Sequence, residues 1–212
     1  MVAGATGLIG GLLARKLSDA AEWARVIALV RRQVGFALPR VEEQMADFEA
    51  LDSLPPFHVD DAFCALGTTI AKAWSEEAFR RVDYEYPLAL ARWAAARGAR
   101  RLLLVSSVGA DARSKNFYLR VKGELEQALA SIPIETLHVF RPGLLLGPRT
   151  ENRTAERMAQ AVMPVISFLL AGPLRRYRAI QAETVAAAMA RAALAPATGR
   201  HTHHWDEMVQ RP

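Results

Sequence analysis

The stretch G-A-T-G-L-I-G at positions 4 to 10 constrains this chain more than any other. It follows an apolar stump, Met1 to Ala3, and precedes Leu8, Ile9, Leu12, Leu13 and Leu17, which recur at helical spacing. Few folds need a strand that turns through three spaced glycines straight into an amphipathic helix. Gly4 permits the tight turn, Gly7 lets the backbone come close to a ligand, and Gly10 lets the helix pack closely on a sheet. The first turn of the helix offers free N–H groups and a partial positive charge to an anion. Glycines in this place match a fingerprint for the pyrophosphate of a dinucleotide.

The rest of the chain alternates strand and helix. Val26 to Val30 is a short all-apolar run, as expected of a strand buried on both faces. A weaker strand is expected at Gln44 to Phe48, and further strands at Asp61 to Leu66, Arg101 to Val105 and Leu137 to Phe140. Ser75 opens a helical region with Glu76 and Glu77 in its first turn, and that region runs on to a stop at Gly98. Pro87 inside it implies two helices or a kink. Phe117 to Ala130 reads as a helix, and Ala182 to Ala193 as the last one. Strands separated by helices predict a parallel sheet with right-handed crossovers, an α/β doubly wound fold. No repeat, low-complexity tract or linker divides the chain. One domain is expected over 1–212, with residues 149–180 as a small C-terminal lid over a substrate pocket. The first strand has only three residues before Gly4, where about five or six are usual. A start inside the strand, from a misassigned initiator or a trimmed chain, is the expectation.

Composition narrows the function. At 212 residues the chain suits one α/β domain. The formal net charge of +5 raises the question of nucleic acid, but no run of basic residues exceeds two, and no nucleic-acid partner is expected. Only four residues are lysine, Lys16, Lys72, Lys115 and Lys122, against 23 arginines. The single cysteine, Cys64, rules out an internal disulfide and reads as a buried, inert thiol. His201, His203 and His204 precede Trp205 with only Asp206 in support, so a frayed tail or late strand is expected and no metal site. Met158 to Leu174 is uncharged but broken by Gln160, Pro164 and Gly172, which suits a helix over a pocket better than a membrane span. No integral membrane segment is expected, and the default compartment is cytoplasmic.

Two further motifs carry chemistry. Arg31-Arg32 closes the second strand, where a dinucleotide fold commonly places a carboxylate for the ribose 2′-hydroxyl. Forked guanidiniums bind a 2′-phosphate that a carboxylate would repel, which favours NADP(H). Asp47, at the third strand, could accept from the adenine amino group or serve a turn. Tyr118-x-x-x-Lys122 puts a phenol and an ammonium on one helical face. An ammonium favours the phenolate, so the pair can act as general acid and base. Four tyrosines and four lysines in 212 residues give about 0.08 such pairs by chance. Ser106 and Ser107 end the preceding strand, and a serine hydroxyl there can polarise a carbonyl oxygen. Ser107 is the favoured one, with Ser106 the alternative. Lys72, after Gly67-Thr68-Thr69, could face a cofactor or an acidic substrate, or simply be a solvated loop lysine.

With G-x-x-G-x-x-G, S-S-x-G, Y-x-x-x-K and R-P-G in this order, the chain resembles the short-chain dehydrogenase/reductase superfamily. F-C-A-L-G-T-T-I-A-K-A at 63 to 73, S-S-V-G-A-D at 106 to 111, N-F-Y-L-R-V-K-G-E-L-E at 116 to 126 and V-F-R-P-G-L-L-L-G at 139 to 147 are similar to its atypical branch with the Tat-interacting-protein oxidoreductases and their bacterial relatives. The resemblance covers about Val2 to Leu194. It implies a Rossmann fold that binds NADP(H), with Thr6, Gly7, Leu8 and Ile9 along the pyrophosphate and Arg31 and Arg32 on the 2′-phosphate. Leu66 and Gly67 would pass the adenosine ribose, Leu145 would sit near the nicotinamide carboxamide, and Arg153 would approach from the C-terminal segment. Tyr118 would donate the proton and Lys122 would also bond the nicotinamide ribose. The activity implied is hydride transfer to or from a small carbonyl or alcohol by a monomer or homodimer. The alternative is a non-catalytic NADPH sensor. The serine spacing departs from the pattern: Ser107 lies 11 and Ser106 12 positions before Tyr118, short for the superfamily.

Overall fold

The computed structural model describes residues 1–147, 170 and 172–210. Among them, seven parallel strands form one sheet in the order β3-β2-β1-β4-β5-β6-β9: β1 (Val2–Ala3), β2 (Val26–Val30), β3 (Val41–Met45), β4 (Asp61–Cys64), β5 (Arg101–Val105), β6 (Thr136–Phe140) and β9 (Gly199–His203). The order reverses between β1 and β4, the crevice where open α/β sheets bind ligands. A two-stranded parallel pair, β7 (Leu145–Leu146) with β8 (Ile180–Gln181), stands apart.

Side-chain alternation builds the layers. In β2, Val26, Ala28 and Val30 point to one face and Ile27 and Leu29 to the other. The first face is covered by α1 (Leu8–Asp19) and α6 (Ala182–Leu194), through Ile9, Leu13, Leu17, Val185 and Met189. The second is covered by α4 (Tyr86–Ala95) and α5 (Phe117–Leu129), through Leu90, Trp93, Leu125 and Leu129. Both sheet faces are dry, as an all-parallel sheet requires. β1 holds its place with two residues because it pairs on both sides: Val2 lies opposite Ala28 and Phe63, Ala3 opposite Leu29 and Cys64.

Three expectations need correction. The third strand is Val41–Met45, not Gln44 to Phe48. It is a sheet edge, so V-E-E-Q-M carries no apolar run, while the buried Ala46 and Phe48 just beyond it mimic a strand pattern. Second, the region after Ser75 is three pieces: α3 (Glu76–Arg80), a π-helical stretch (Arg81–Glu85) and α4. The Ser75 hydroxyl caps α3 by accepting from the Ala78 N–H at 3.0 Å. Pro87 has no N–H to give the carbonyl four residues back, that of Asp83, and the ladder widens there instead of breaking. Third, α6 is not the last helix, because α7 (Trp205–Val209) follows β9, started by a capping box between His204 and Glu207. The histidine-rich segment is a strand rather than a frayed tail.

Candidate active site

The glycine turn, Arg31-Arg32, Asp47, Leu66-Gly67 and Ser106-Ser107 each follow the carboxyl end of a parallel strand. Gly4, with φ +83°, makes the turn out of β1, and a Cβ on it would run into the Ala65 carbonyl. A Cβ on Gly10 would collide with the Gly4 carbonyl, so α1 and the turn are packed backbone to backbone. Thr6 and Gly7 are exposed at this crest and Leu8 is half-buried. The Ile9 side chain is in the core, so its backbone is the part that faces the turn. No side chain caps α1, and its first turn holds no acidic residue. The helix start thus remains an anion site.

Arg31 and Arg32 are exposed in the residues directly after β2. A residue that sequence reasoning passed over shapes the loop that carries them. The Glu43 carboxylate on β3 accepts from the Val34 N–H at 2.9 Å and the Phe36 N–H at 2.6 Å. Those two backbone donors hold Glu43 below the usual glutamate range. Asp47 serves its turn, accepting from the Glu49 N–H at 2.9 Å, and remains exposed. A cleft of about 420 Å³ opens beside it, walled by Phe48, Glu49, Arg81, Glu85, Tyr86 and Ala89. Tyr118, Lys122 and Ser107 are not part of its wall.

Tyr118 and Lys122 share one face of α5, as their spacing requires. Tyr118 packs its ring against Phe79, 5.5 Å between centroids, and among the described residues nothing hydrogen-bonds its hydroxyl. Lys122 is almost wholly buried and reaches Asp83, also buried, at 2.7 Å. Burial works against the Lys122 ammonium, but Asp83 and Tyr118 outweigh it and hold the group above the usual lysine range. The other Asp83 oxygen accepts from the Thr68 N–H at 2.8 Å. A Cβ on Gly67 would lie 3.3 Å from Asp83 Oδ1 and 3.9 Å from Lys122 Nζ. The ammonium therefore stands at the exit of β4, beside the expected cofactor path past Leu66 and Gly67. Asp83 was missed because its link to Lys122 spans the sheet exit, while its local sequence, R-V-D-Y-E, reads as an ordinary helix.

The two serines have different surroundings. Ser106 is buried and donates to Glu126 at 2.6 Å. Ser107 is half-buried, with only a long contact of 3.3 Å to the Val108 carbonyl, so its hydroxyl is the more available. Glu126, 1% exposed, also holds Arg141 at 3.0 and 2.5 Å and Arg200 at 3.0 Å. That network ties α5 to the exits of β5 and β6 and to β9. Its signal was present in part: Glu126 is four residues past Lys122, on the same helical face. Gly123, between them, lets α5 press on the backbone of Asp111 and Ala112. Leu145 lies in β7, half-buried, and Gly143 ahead of it packs on the Tyr177 and Arg178 carbonyls. Arg153 and most of the expected lid, 149–180, lie outside the described residues. Lys72 lies in the short helix α2 (Ile70–Ala73), capped by Thr69. Among the described residues no three His, Cys, Asp or Glu side chains are placed to hold a metal, and no helix is long and apolar enough to cross a membrane.

Comparison with known proteins agrees with this architecture. The HIM1 family model matches residues 17–170. Protein HTATIP2 of Rattus norvegicus is 38% identical over 164 residues, 75% of this chain and 67% of its own length. Protein FMP52, mitochondrial, of Eremothecium gossypii is 38% identical over 152 residues, 70% of this chain and 67% of its own length. Among solved structures, MoeE5 in complex with UDP-glucuronic acid and NAD superposes with a TM-score of 0.70 at 17% identity, over 95% of this chain and 74% of that one. The human epimerase family protein SDR39U1 with NADPH gives 0.61 at 18% identity, over 96% and 72%. At such identities the two structures show the shared Rossmann-type fold. The cytoplasmic expectation is overturned here: the FMP52 relatives are named mitochondrial.

Proposed function

Because this chain belongs to the HIM1 family, we propose that it is an NADP(H)-dependent oxidoreductase of the short-chain dehydrogenase/reductase type, acting on a small carbonyl or alcohol as one domain over 1–212. The observation that carries the reading is the Lys122 ammonium, held at the exit of β4 on the same helical face as Tyr118. The uncapped start of α1 above a glycine turn too tight for a Cβ fits a dinucleotide pyrophosphate, with Gly4, Thr6, Gly7, Leu8, Ile9 and Gly10 as its cradle. MoeE5 was solved with NAD and SDR39U1 with NADPH, which supports a nicotinamide nucleotide here. Arg31 and Arg32 favour the 2′-phosphate form. Asp47 takes the adenine, Leu66 and Gly67 the adenosine ribose, and Leu145 the nicotinamide end.

The nicotinamide supplies or accepts the hydride. Tyr118 gives a proton to the substrate oxygen or takes one from it, and Ser107 orients that oxygen by donating a hydrogen bond. Lys122 bonds the nicotinamide ribose and steadies the phenolate left on Tyr118. Phe79 fixes the Tyr118 ring, so the hydroxyl does not wander from the reacting oxygen. Arg153 and the lid, 149–180, complete the pocket. The test is Tyr118→Phe, assayed by NADPH fluorescence titration and by turnover over a panel of carbonyl substrates. Binding within about twofold of wild type with turnover down by at least 100-fold is expected. Unchanged turnover rejects the assignment, and tight NADPH binding by the wild type without turnover on any carbonyl points to a sensor.

A further inference from the structure

The loop after β2 carries two adjacent cations. Arg31 and Arg32 are exposed, and among the described residues neither guanidinium is hydrogen-bonded or ion-paired. Nearby arginines are spent: Arg25 bonds Glu42 at 2.6 Å, and Arg40 donates to the Ala20 carbonyl at 2.5 Å. The loop has little else to hold it. Gln33 and Val34 are exposed, Gly35 stands at φ +71° with open space around it, and among residues 31–37 only Phe36 packs against the core. One side chain grips it. Glu43 lies opposite Ala28 in the register of β2 and β3, on the sheet face that α1 covers. Its carboxylate oxygens take one N–H each, Oε2 from Val34 at 2.9 Å and Oε1 from Phe36 at 2.6 Å. The two donors flank Gly35, so the backbone curls round the carboxylate as it would round a bound anion. Among the described residues no other side chain hydrogen-bonds residues 31–37.

We propose, resting on the dinucleotide reading of the glycine turn, that Glu43 is a positioning residue for nucleotide selectivity: by clamping the loop after β2 it fixes Arg31 and Arg32 as a site for the 2′-phosphate of NADPH. A guanidinium reaches a phosphate on long, rotatable bonds, and a loop that wanders must be ordered each time the nucleotide binds. A loop already clamped avoids that cost. NADH carries no 2′-phosphate and does not call on the arginines, so the clamp bears on NADPH alone. Charge works in the other direction. An anionic Glu43 beside this loop repels a phosphate. A purely electrostatic role therefore predicts tighter NADPH binding once the carboxylate is removed, whereas clamping predicts weaker binding.

The experiment is a set of calorimetric titrations of the whole protein with NADPH and NADH, together with amide hydrogen exchange by NMR in the absence of nucleotide. The Val34 and Phe36 amides are expected to exchange slowly in wild type and about tenfold faster or more in Glu43→Ala. Glu43→Ala should weaken NADPH about tenfold and NADH by at most about twofold. Glu43→Gln, which keeps an acceptor oxygen without the charge, should fall between wild type and Glu43→Ala. With Arg31→Ala and Arg32→Ala in place, adding Glu43→Ala should cost NADPH at most about twofold, because a clamp matters only through what it holds. NADPH binding unchanged or tighter in Glu43→Ala overturns the proposal. So do equal losses for both nucleotides, an undiminished loss in the arginine-free background, or fast exchange of both amides in wild type. Should Glu43→Ala fail to fold, Glu43→Gln decides: a loss confined to NADPH supports the proposal, and any other result overturns it. A wild type that prefers NADPH, with the preference intact in Glu43→Ala, leaves the nucleotide reading standing and removes the clamp. A wild type that binds neither nucleotide removes both.

Discussion

Glu126 is a carboxylate with almost no water contact, held by two guanidiniums and a hydroxyl. Removing one member of such a group strands the others. Glu126→Ala should therefore cost about 3–5 kcal/mol of folding stability, read as a lower urea midpoint by circular dichroism. At the residue scale the sequence was most informative where chemistry depends on local spacing. Tyr118 and Lys122 could be recognised because four helical residues fix their common face and lysine is scarce. Asp83 and Glu126 could not be assigned, because their partners arrive from distant strands. Lys122 is 39 residues from Asp83 and Arg200 is 74 from Glu126. Nothing local marks either carboxylate as buried, since an acidic residue on a helix is ordinarily solvated.

Elements explain which expectations slipped. β2, β5 and β6 are largely buried on both faces and were readable at nearly their true bounds. β3, an edge strand with one exposed side, carries two glutamates and shifted by three residues. That shift has a functional side, because β3 holds Glu43, whose carboxylate gathers Val34 and Phe36 and shapes the loop after β2. The loop presents Arg31 and Arg32 to solvent next to the glycine turn. Arg31→Asp combined with Arg32→Ala should weaken NADPH by tenfold or more and NADH by at most about twofold, measured by calorimetry. Equal losses for both nucleotides reject the 2′-phosphate role.

Across the whole molecule, the outer edge of the sheet responds to acid. His138 on β6 lies opposite His201 of β9, and its Nδ1 is 2.9 Å from Nε2 of His203. Burial first, then His203, His201 and Arg101, push His138 down to about 4, and burial lowers His203 as well. An unfolded histidine titrates near 6.5, so below that pH the unfolded chain binds protons that the folded chain refuses. The contribution of these histidines to stability should be flat above about pH 6.5 and fall steadily from there toward pH 4, with His138→Phe flattening the slope below pH 6.5; urea midpoints at about pH 6.5 and 5 measure both. The same edge has a further bearing on the chain as it is made. α5, which carries the phenol and the ammonium, leaves the ribosome well before the strand that brings Arg200 to it, 74 residues later. Until that last strand docks, Glu126 lacks one of its two guanidiniums and the helix is anchored only in part. A premature stop or a protease nick near residue 199 would thus leave α5 short of one anchor on the far side of the sheet.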